Sequence, residues 1–143
     1  MSSVAVMSRT DDLGPPHDVV ETSKCKQELW LPRPHVIYVR QRGHLDEDVA
    51  RAMARVCERA IAGGRRLSGF VDALDVGGYT PEHRRVMTAW IQQALPHIDG
   101  MHVLTRSKLV AMGISVANLA LGGSIRAHAT RATFDAELAH ALR

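Results

Sequence analysis

From residue 36 onward, the hydrophobic pattern of this chain alternates between short apolar runs and longer helical stripes. Apolar runs of about four to eight residues predict strands, and apolar residues spaced three and four apart predict amphipathic helices. The runs and stripes follow one another as strand, helix, strand, helix, strand, helix, strand, helix. This alternation favours an α/β fold in which parallel central strands are joined by right-handed crossovers.

The helical stripes have recognisable ends. The first stripe begins at Leu45 and stops at Gly63-Gly64, where glycine accepts the left-handed backbone of a helix C-terminus. A second helix is predicted to begin near Thr80, a residue suited to the N-cap, with Pro81 at the first helical position. The third helix, "SKLVAMGISVANLAL", ends at a second glycine pair, and "RATFDAELAHALR" closes the chain.

Two weakly alternating segments precede this pattern, "VVETSKCKQELWL" and "HVIYVRQ", with Pro32-Arg33-Pro34 between them. Because prolines favour sheet edges and turns, these segments predict an antiparallel hairpin. Residues 1–17 have no sustained period and contain Gly-Pro-Pro, which predicts a flexible N-terminal tail. The sequence thus predicts one domain over 18–143, with a mostly parallel central sheet, an antiparallel N-terminal edge hairpin and about four helices, in the order ββαβαβαβα.

Composition narrows the function classes. Hydrophobic residues make up 45% of the chain and charged residues 23%, which is typical of a packed globular domain. The net charge of +3 is small, the basic residues are interleaved with acidic ones, and aromatic residues make up only 4%. These features disfavour a nucleic-acid partner. No apolar run is long enough to span a membrane and no secretory signal pattern is found, so we expect a cytoplasmic protein.

Cysteines and histidines offer little support for a metal site. Cys25 and Cys57 form no metal or redox motif and are predicted to be free thiols. None of the usual zinc-binding spacings joins the eight histidines. His102 and His128 fall on neighbouring predicted strands and so could face each other, as metal ligands or as ordinary strand histidines. We predict neither a metal nor a cofactor.

The segment "DALDVGGYTPEHRR", from Asp72 to Arg85, is the densest in polar groups and glycines. One interpretation is purely structural: a strand, a turn at Gly77-Gly78 and a helix capped by Thr80. A second is that the free N–H groups of the helix start, together with Arg84 or Arg85, receive an anion or a phosphorylated group.

A third interpretation of this segment is catalytic. Asp72 and Asp75 would form an acid/base pair, or Asp72 would form a dyad with His83. No nucleophile elbow or Cys–His pair accompanies these residues, so this hypothesis is the least favoured.

The third predicted helix is apolar on two faces, and both must be covered. Three explanations are open: core packing, a dimer or partner surface, and a cavity for an apolar or lipid-like ligand. The residues of this candidate interface or ligand face are Leu109, Val110, Met112, Ile114 and Val116.

The order of elements and the segments "GFVDALDVGGYTPEHRRVMTAW", "MHVLTRSKLVAMGISVANLAL" and "IRAHATRATFDAEL" together resemble the STAS superfamily, most closely its SpoIIAA-like branch. The resemblance covers about residues 28–143 and implies a non-enzymatic binding or regulatory module. Anti-anti-sigma members carry a phosphorylatable Ser or Thr at the start of the second helix. Thr80 has that position here, although Tyr79 and Pro81 on either side depart from the family's motif.

From the residues and the resemblance together, we expect a regulatory protein-interaction module with a protein partner or a homodimer, switched near Thr80. Binding of a small apolar ligand or lipid is the alternative, and an enzyme is the least favoured class. The candidate switch or partner surface consists of Thr80, Tyr79, Asp72, Asp75, Arg84 and Arg85.

Overall fold

The structure is a computed structural model that describes residues 13–143. Its strands are β1 (Asp18–Glu21), β2 (Cys25–Arg33), β3 (Val36–Leu45), β4 (Leu67–Tyr79), β5 (Ile98–Leu104) and β6 (Ile125–His128). Its α-helices are α1 (Glu47–Ile61), α2 (Pro81–Ala94), α3 (Lys108–Leu121) and α4 (Arg131–Ala141), and a 3₁₀ turn at Leu95–His97 follows α2.

The strands form one mixed sheet in the order β1-β2-β3-β4-β5-β6. β1, β2 and β3 pair antiparallel, and β3 to β6 pair parallel. This arrangement confirms the predicted α/β domain with an antiparallel N-terminal edge. The edge has one strand more than predicted, because a turn divides the first predicted segment into β1 and β2. In that turn, the Thr22 hydroxyl accepts hydrogen bonds from the backbone N–H groups of Lys24 and Cys25, both at 3.2 Å.

The predicted tail falls mainly on residues 1–12, which lie outside the described residues. Two residues at its end contact β2. The Trp30 indole Nε1 donates to the Gly14 carbonyl at 3.0 Å, and the His17 backbone N–H donates to the Leu29 carbonyl at 2.7 Å. These bonds attach residues 14–17 to β2, the second strand of the sheet.

Both faces of the sheet are covered, by unequal layers. Helices α1, α2 and α3 pack on one face, and α4 packs on the other. Because side chains alternate along a strand, neighbouring residues of β4 serve different layers. Val71 belongs to the core beneath α1–α3, whereas Phe70 packs with Phe134 of α4. This alternation decides which of the predicted site residues can meet.

Strand β4 is longer than the sequence predicted. It continues to Tyr79, pairing with β3 through His44↔Gly78 and Leu45↔Tyr79, so the predicted turn at Gly77-Gly78 is wrong. The reason for glycine at position 78 is close approach: a Cβ there would stand 3.0 Å from the ring Nδ1 of His44. The extension places Tyr79 at the end of β4, where its side chain contacts helix α3.

Candidate functional site

Helix α2 begins where the sequence predicts. The Thr80 hydroxyl accepts a hydrogen bond from the His83 backbone N–H at 3.0 Å, and Pro81 is the first helical residue. Thr80 is thus an N-cap whose oxygen is already used by its own helix. Nothing in this geometry bears on phosphorylation, and a switch at Thr80 stays a prediction.

A cavity of about 130 Å³ lies between the sheet and helices α2 and α3. Most of its wall is apolar. The sheet contributes Val71, Ala73, Met101, Val103 and Ile125, and the helices contribute Met87, Ile91, Val110, Ile114 and Ala117. Arg84, Thr88 and Ala117 also line a shallow groove outside it, so the cavity adjoins the surface between α2 and α3.

Helix α3 is the most apolar helix of the described chain, yet only Val110 and Leu121 in it are buried. Val110 and Ile114, from the predicted ligand face, line the cavity. The other three predicted residues of that face lie on the solvent side. The exposed fractions on that side are 53% for Leu109, 61% for Met112, 49% for Val116 and 88% for Leu119. The two apolar faces of α3 therefore have different surroundings, since one borders the cavity and the other is exposed to solvent.

His83 is a polar residue of the cavity wall that the sequence did not single out as a binding residue. Its ring Nε2 is buried and has no hydrogen-bond partner among the described residues. Burial lowers the pKa of the imidazole to about 4, and the nearby Asp46 carboxylate opposes that shift only in part. At neutral pH, His83 is therefore an uncharged ring with one unsatisfied nitrogen.

Tyr79 forms part of the cavity wall at its contact with α3. Its hydroxyl donates a long hydrogen bond of 3.4 Å to the Leu109 carbonyl and lies directly against Gly113. A Cβ on Gly113 would overlap that hydroxyl, so the glycine is what lets the ring approach the helix. The Tyr79 ring also lies beside that of His83, with centroids 6.2 Å apart.

Asp72 lies on the opposite face of the sheet from this cavity. Its carboxylate accepts a hydrogen bond from the Arg131 guanidinium of α4 at 2.8 Å and another from the Leu74 backbone N–H at 3.2 Å. Asp72 and Arg131 also act electrostatically on Tyr38, whose pKa burial raises to about 12. No dyad forms between Asp72 and His83, because the sheet separates them.

The remaining candidates of the Asp72–Arg85 segment are exposed. Asp75 lies 3.8 Å from the Arg40 guanidinium in an ion pair that water screens. Arg84 reaches both the cavity rim and the groove, and Arg85 lines only grooves on the outer side of α2. Of the six predicted surface residues, only Tyr79 and Arg84 border the cavity, and no pair of acids converges there.

The histidines of β5 and β6 do face each other. His102 Nδ1 and His128 Nε2 are hydrogen-bonded at 2.9 Å, and His128 Nδ1 bonds the Thr133 hydroxyl at 3.0 Å. Burial lowers the pKa of both rings, that of His102 to about 4. His102 also stacks on Phe70, with centroids 4.7 Å apart. These are satisfied core histidines of the α4 face.

Within residues 13–143, no group of three or more His, Cys, Asp or Glu side chains is arranged to hold a metal ion. In the same part of the chain, no helix is both long and apolar enough to cross a membrane. Cys25 and Cys57 are buried and free, as predicted.

Val110 and Ile114 of the predicted ligand face and Tyr79 of the predicted switch surface line the cavity, whereas the sequence did not single out the sheet residues of its wall. Met101 and Val103 looked like ordinary core positions of a strand, and His83 was considered only as a catalytic partner. The one available signal was the excess of apolar residues in α3, which is more than one buried face requires.

No family model matches this sequence, and no curated protein is significantly similar to it. Among solved structures, the chain is similar to an uncharacterised protein of the DUF3478 family from Shewanella loihica PV-4, whose crystal structure has a SpoIIAA-like fold. The TM-score is 0.58 at 12% sequence identity, over 85% of this chain and 90% of that chain. At this identity the likeness shows the fold alone, and the domain has the SpoIIAA-like fold that the sequence resemblance implied.

Proposed function

We propose that this domain is a binding module that takes a small apolar molecule into the cavity between the sheet and helices α2 and α3. The observation that carries the proposal is the cavity itself, whose wall is mostly apolar and which adjoins the core beneath helices α1 to α3. Protein interiors are close-packed, and an apolar void forfeits the contacts that its wall atoms would otherwise make. An apolar guest would restore those contacts.

The incomplete burial of α3 supports the same function. Ile114 and Ala117 line the cavity but are only partly buried, although the helix is apolar enough for a core position. A ligand between α3 and the sheet would remove more of this surface from water. Each square ångström of apolar surface that is buried contributes about 25 cal/mol.

The cavity volume sets the size of the guest. In an unrelated protein, a dry apolar cavity of roughly 150 Å³ binds benzene. A cavity of about 130 Å³ therefore suits a single small ring or a short branched chain. A long acyl chain would require α2 and α3 to move apart.

Toluene binding, measured by isothermal titration calorimetry, tests this function. The wild-type protein is expected to bind toluene at a single site with a negative heat-capacity change, the mark of apolar burial. Ala117→Leu should abolish binding, because the larger side chain fills the cavity that Ala117 lines.

Ala120→Leu is the matched control, since Ala120 is exposed on the same helix and does not line the cavity. It should bind toluene as the wild type does. Equal loss in both variants, or no binding by the wild type, would contradict the proposal.

A second candidate function is self-association through the outer stripe of α3, defined as Leu109, Met112, Val116 and Leu119. The observation that favours it is the large exposure of these four apolar side chains at helical spacing. Lys108 is the only charged residue of α3, so two copies would meet with little repulsion. Pro81 and Val116 line the same groove, and a phosphate on Thr80 would place negative charge beside the stripe.

Sedimentation equilibrium tests this second function. A dimer in the wild type that becomes a monomer in Met112→Glu would support it, and a wild type that stays monomeric at high concentration would contradict it. If Thr80→Glu and Thr80→Ala sediment identically, a charge at Thr80 does not control self-association. That result would leave the interface on α3 unaffected.

A further inference from the structure

The cavity meets the protein surface between helices α2 and α3. Arg84 and Thr88 of α2 and Ala117 of α3 line both the cavity and the groove outside it. These three residues therefore form the mouth of the cavity. Arg84 and Thr88 are one turn apart on α2, and Ala117 borders the same space from α3. A molecule in the cavity can extend through this mouth to the surface.

Arg84 is the charged residue of the mouth. Its side chain is exposed and forms no ion pair or hydrogen bond with the described residues. Among the described residues that line the cavity or the groove, the only other charged group is the Arg85 guanidinium in the groove, and none is acidic. The mouth therefore has a positive charge that none of its lining residues neutralises, which suits an anionic group.

The interior of the cavity suits a different chemistry. Two polar side chains of its wall already have partners: the Gln41 amide donates to Gln27 Oε1 at 2.7 Å, and the Tyr79 hydroxyl donates to the Leu109 carbonyl. Because most of the wall is apolar, an ionised group inside would lose its hydration without compensation. An anionic group at the mouth would keep its contact with water. A ligand that fits both regions is apolar at one end and anionic at the other.

We propose that the ligand of this cavity is a small apolar monocarboxylate, such as an arylacetate, and that Arg84 binds its carboxylate at the mouth. This inference rests on the cavity-binding function proposed above. The planar guanidinium matches a carboxylate, since the two groups can form parallel N–H···O bonds. The apolar body of the ligand lies inside, between Val103 of the sheet and Ile114 of α3.

The test compares phenylacetate with phenylacetamide, a neutral molecule of nearly the same shape. Kd is measured by calorimetry at pH 7 for both compounds with the wild type, Arg84→Gln and Arg84→Lys. The preference for the carboxylate, expressed as Kd of phenylacetamide over Kd of phenylacetate, should fall by about twofold to fivefold in Arg84→Gln, the range of one exposed ion pair. Arg84→Lys keeps the charge and should lose less of the preference.

Arg55→Gln is the matched control. It removes the same charge from an exposed position on α1 that borders neither the cavity nor the groove outside it, and should leave the preference unchanged. Added salt should lower the preference of the wild type and hardly change that of Arg84→Gln, because salt screens an exposed ion pair. An equal fall in Arg84→Gln and Arg55→Gln would reflect net charge alone and would overturn the assignment to Arg84.

Toluene binding separates this inference from the function on which it rests. If the wild type binds neither toluene nor phenylacetate, the cavity-binding function fails and this inference fails with it. If toluene binds but Arg84→Gln leaves the carboxylate preference unchanged, Arg84 does not bind the carboxylate and the cavity function stands. Phenylacetate binding that survives Ala117→Leu would place the molecule outside the cavity and would also overturn the inference.

Discussion

The hydroxyl of Tyr79 lies against the α-carbon of Gly113, at a point where any larger residue on α3 would collide with it. This contact joins the end of β4 to the middle of α3 and forms part of the cavity wall. It explains a glycine inside a helix, where glycine ordinarily costs about 0.5–1 kcal/mol relative to alanine.

Gly113→Ala should therefore fail to stabilise the protein, because the gain in helix propensity is offset by the displacement of Tyr79. In a Tyr79→Ala background, the same substitution should raise the free energy of unfolding by about 0.5–1 kcal/mol. Urea unfolding of the wild type, both single variants and the double variant measures this coupling. An identical effect of Gly113→Ala in the two backgrounds would show that the contact has no energetic weight.

The ion pair between Asp72 and Arg131 joins β4 to α4 and gives a carboxylate that is only 11% exposed its cationic partner. Arg131 also lies 3.7 Å from the Asp135 carboxylate. Arg131→Gln should lower the free energy of unfolding by about 2 kcal/mol, less than for a fully buried pair, because Arg131 is 39% exposed. The double variant Asp72→Asn/Arg131→Gln should recover part of the loss. Toluene affinity should not change, since this pair lies across the sheet from the cavity.

Truncation of a side chain should cost much stability on the buried face of α3 and almost none on its exposed face. Leu121 is 2% exposed, and Leu121→Ala is expected to cost about 2–4 kcal/mol in unfolding free energy. Leu119 is 88% exposed, and Leu119→Ala should change that free energy by no more than about 0.5 kcal/mol. Denaturant titration of both variants checks the orientation of the helix. Comparable losses at the two positions would mean that the outer stripe is covered in solution.

Stability should fall as the pH drops from about 7 towards 4. Burial lowers the pKa of His83 and His102 to about 4, below the ordinary value of 6.5, so in this window the unfolded chain binds protons that the folded protein does not. His128 contributes in the same direction. Unfolding free energies between pH 7 and pH 4 should decrease less steeply in His83→Leu than in the wild type. Thr88→Val, a non-titrating change on the same helix, should keep the wild-type slope.

The order of strands and helices was predictable because each element has a local signal. Periodicity marks the strands and the amphipathic helices, and Thr80-Pro81 marks the start of α2. The extension of β4 through Gly77-Gly78 was not predictable, because the two glycines lie in a strand, where Gly78 leaves room for the His44 side chain of the neighbouring strand, rather than in a turn. A local rule cannot distinguish the two uses.

The site was less predictable than the fold, because it depends on contacts between distant segments. Asp72 and Arg131 are separated by 59 positions in the chain, and nothing near Asp72 indicates its partner. The unsatisfied state of His83 Nε2 depends on the tertiary packing around the ring, which no periodicity encodes. What the sequence did carry was the surplus of apolar residues in α3, part of which lines the cavity.

The proposed function places a small apolar molecule in the space between the sheet and α3. Intermolecular nuclear Overhauser effects between toluene and the methyl groups of ¹³C-labelled protein test it most directly. Contacts to Val110, Ile114 and Met101 are expected, because these residues line the cavity. Contacts confined to the exposed Leu109 and Met112, or no contacts at saturating toluene, would contradict it.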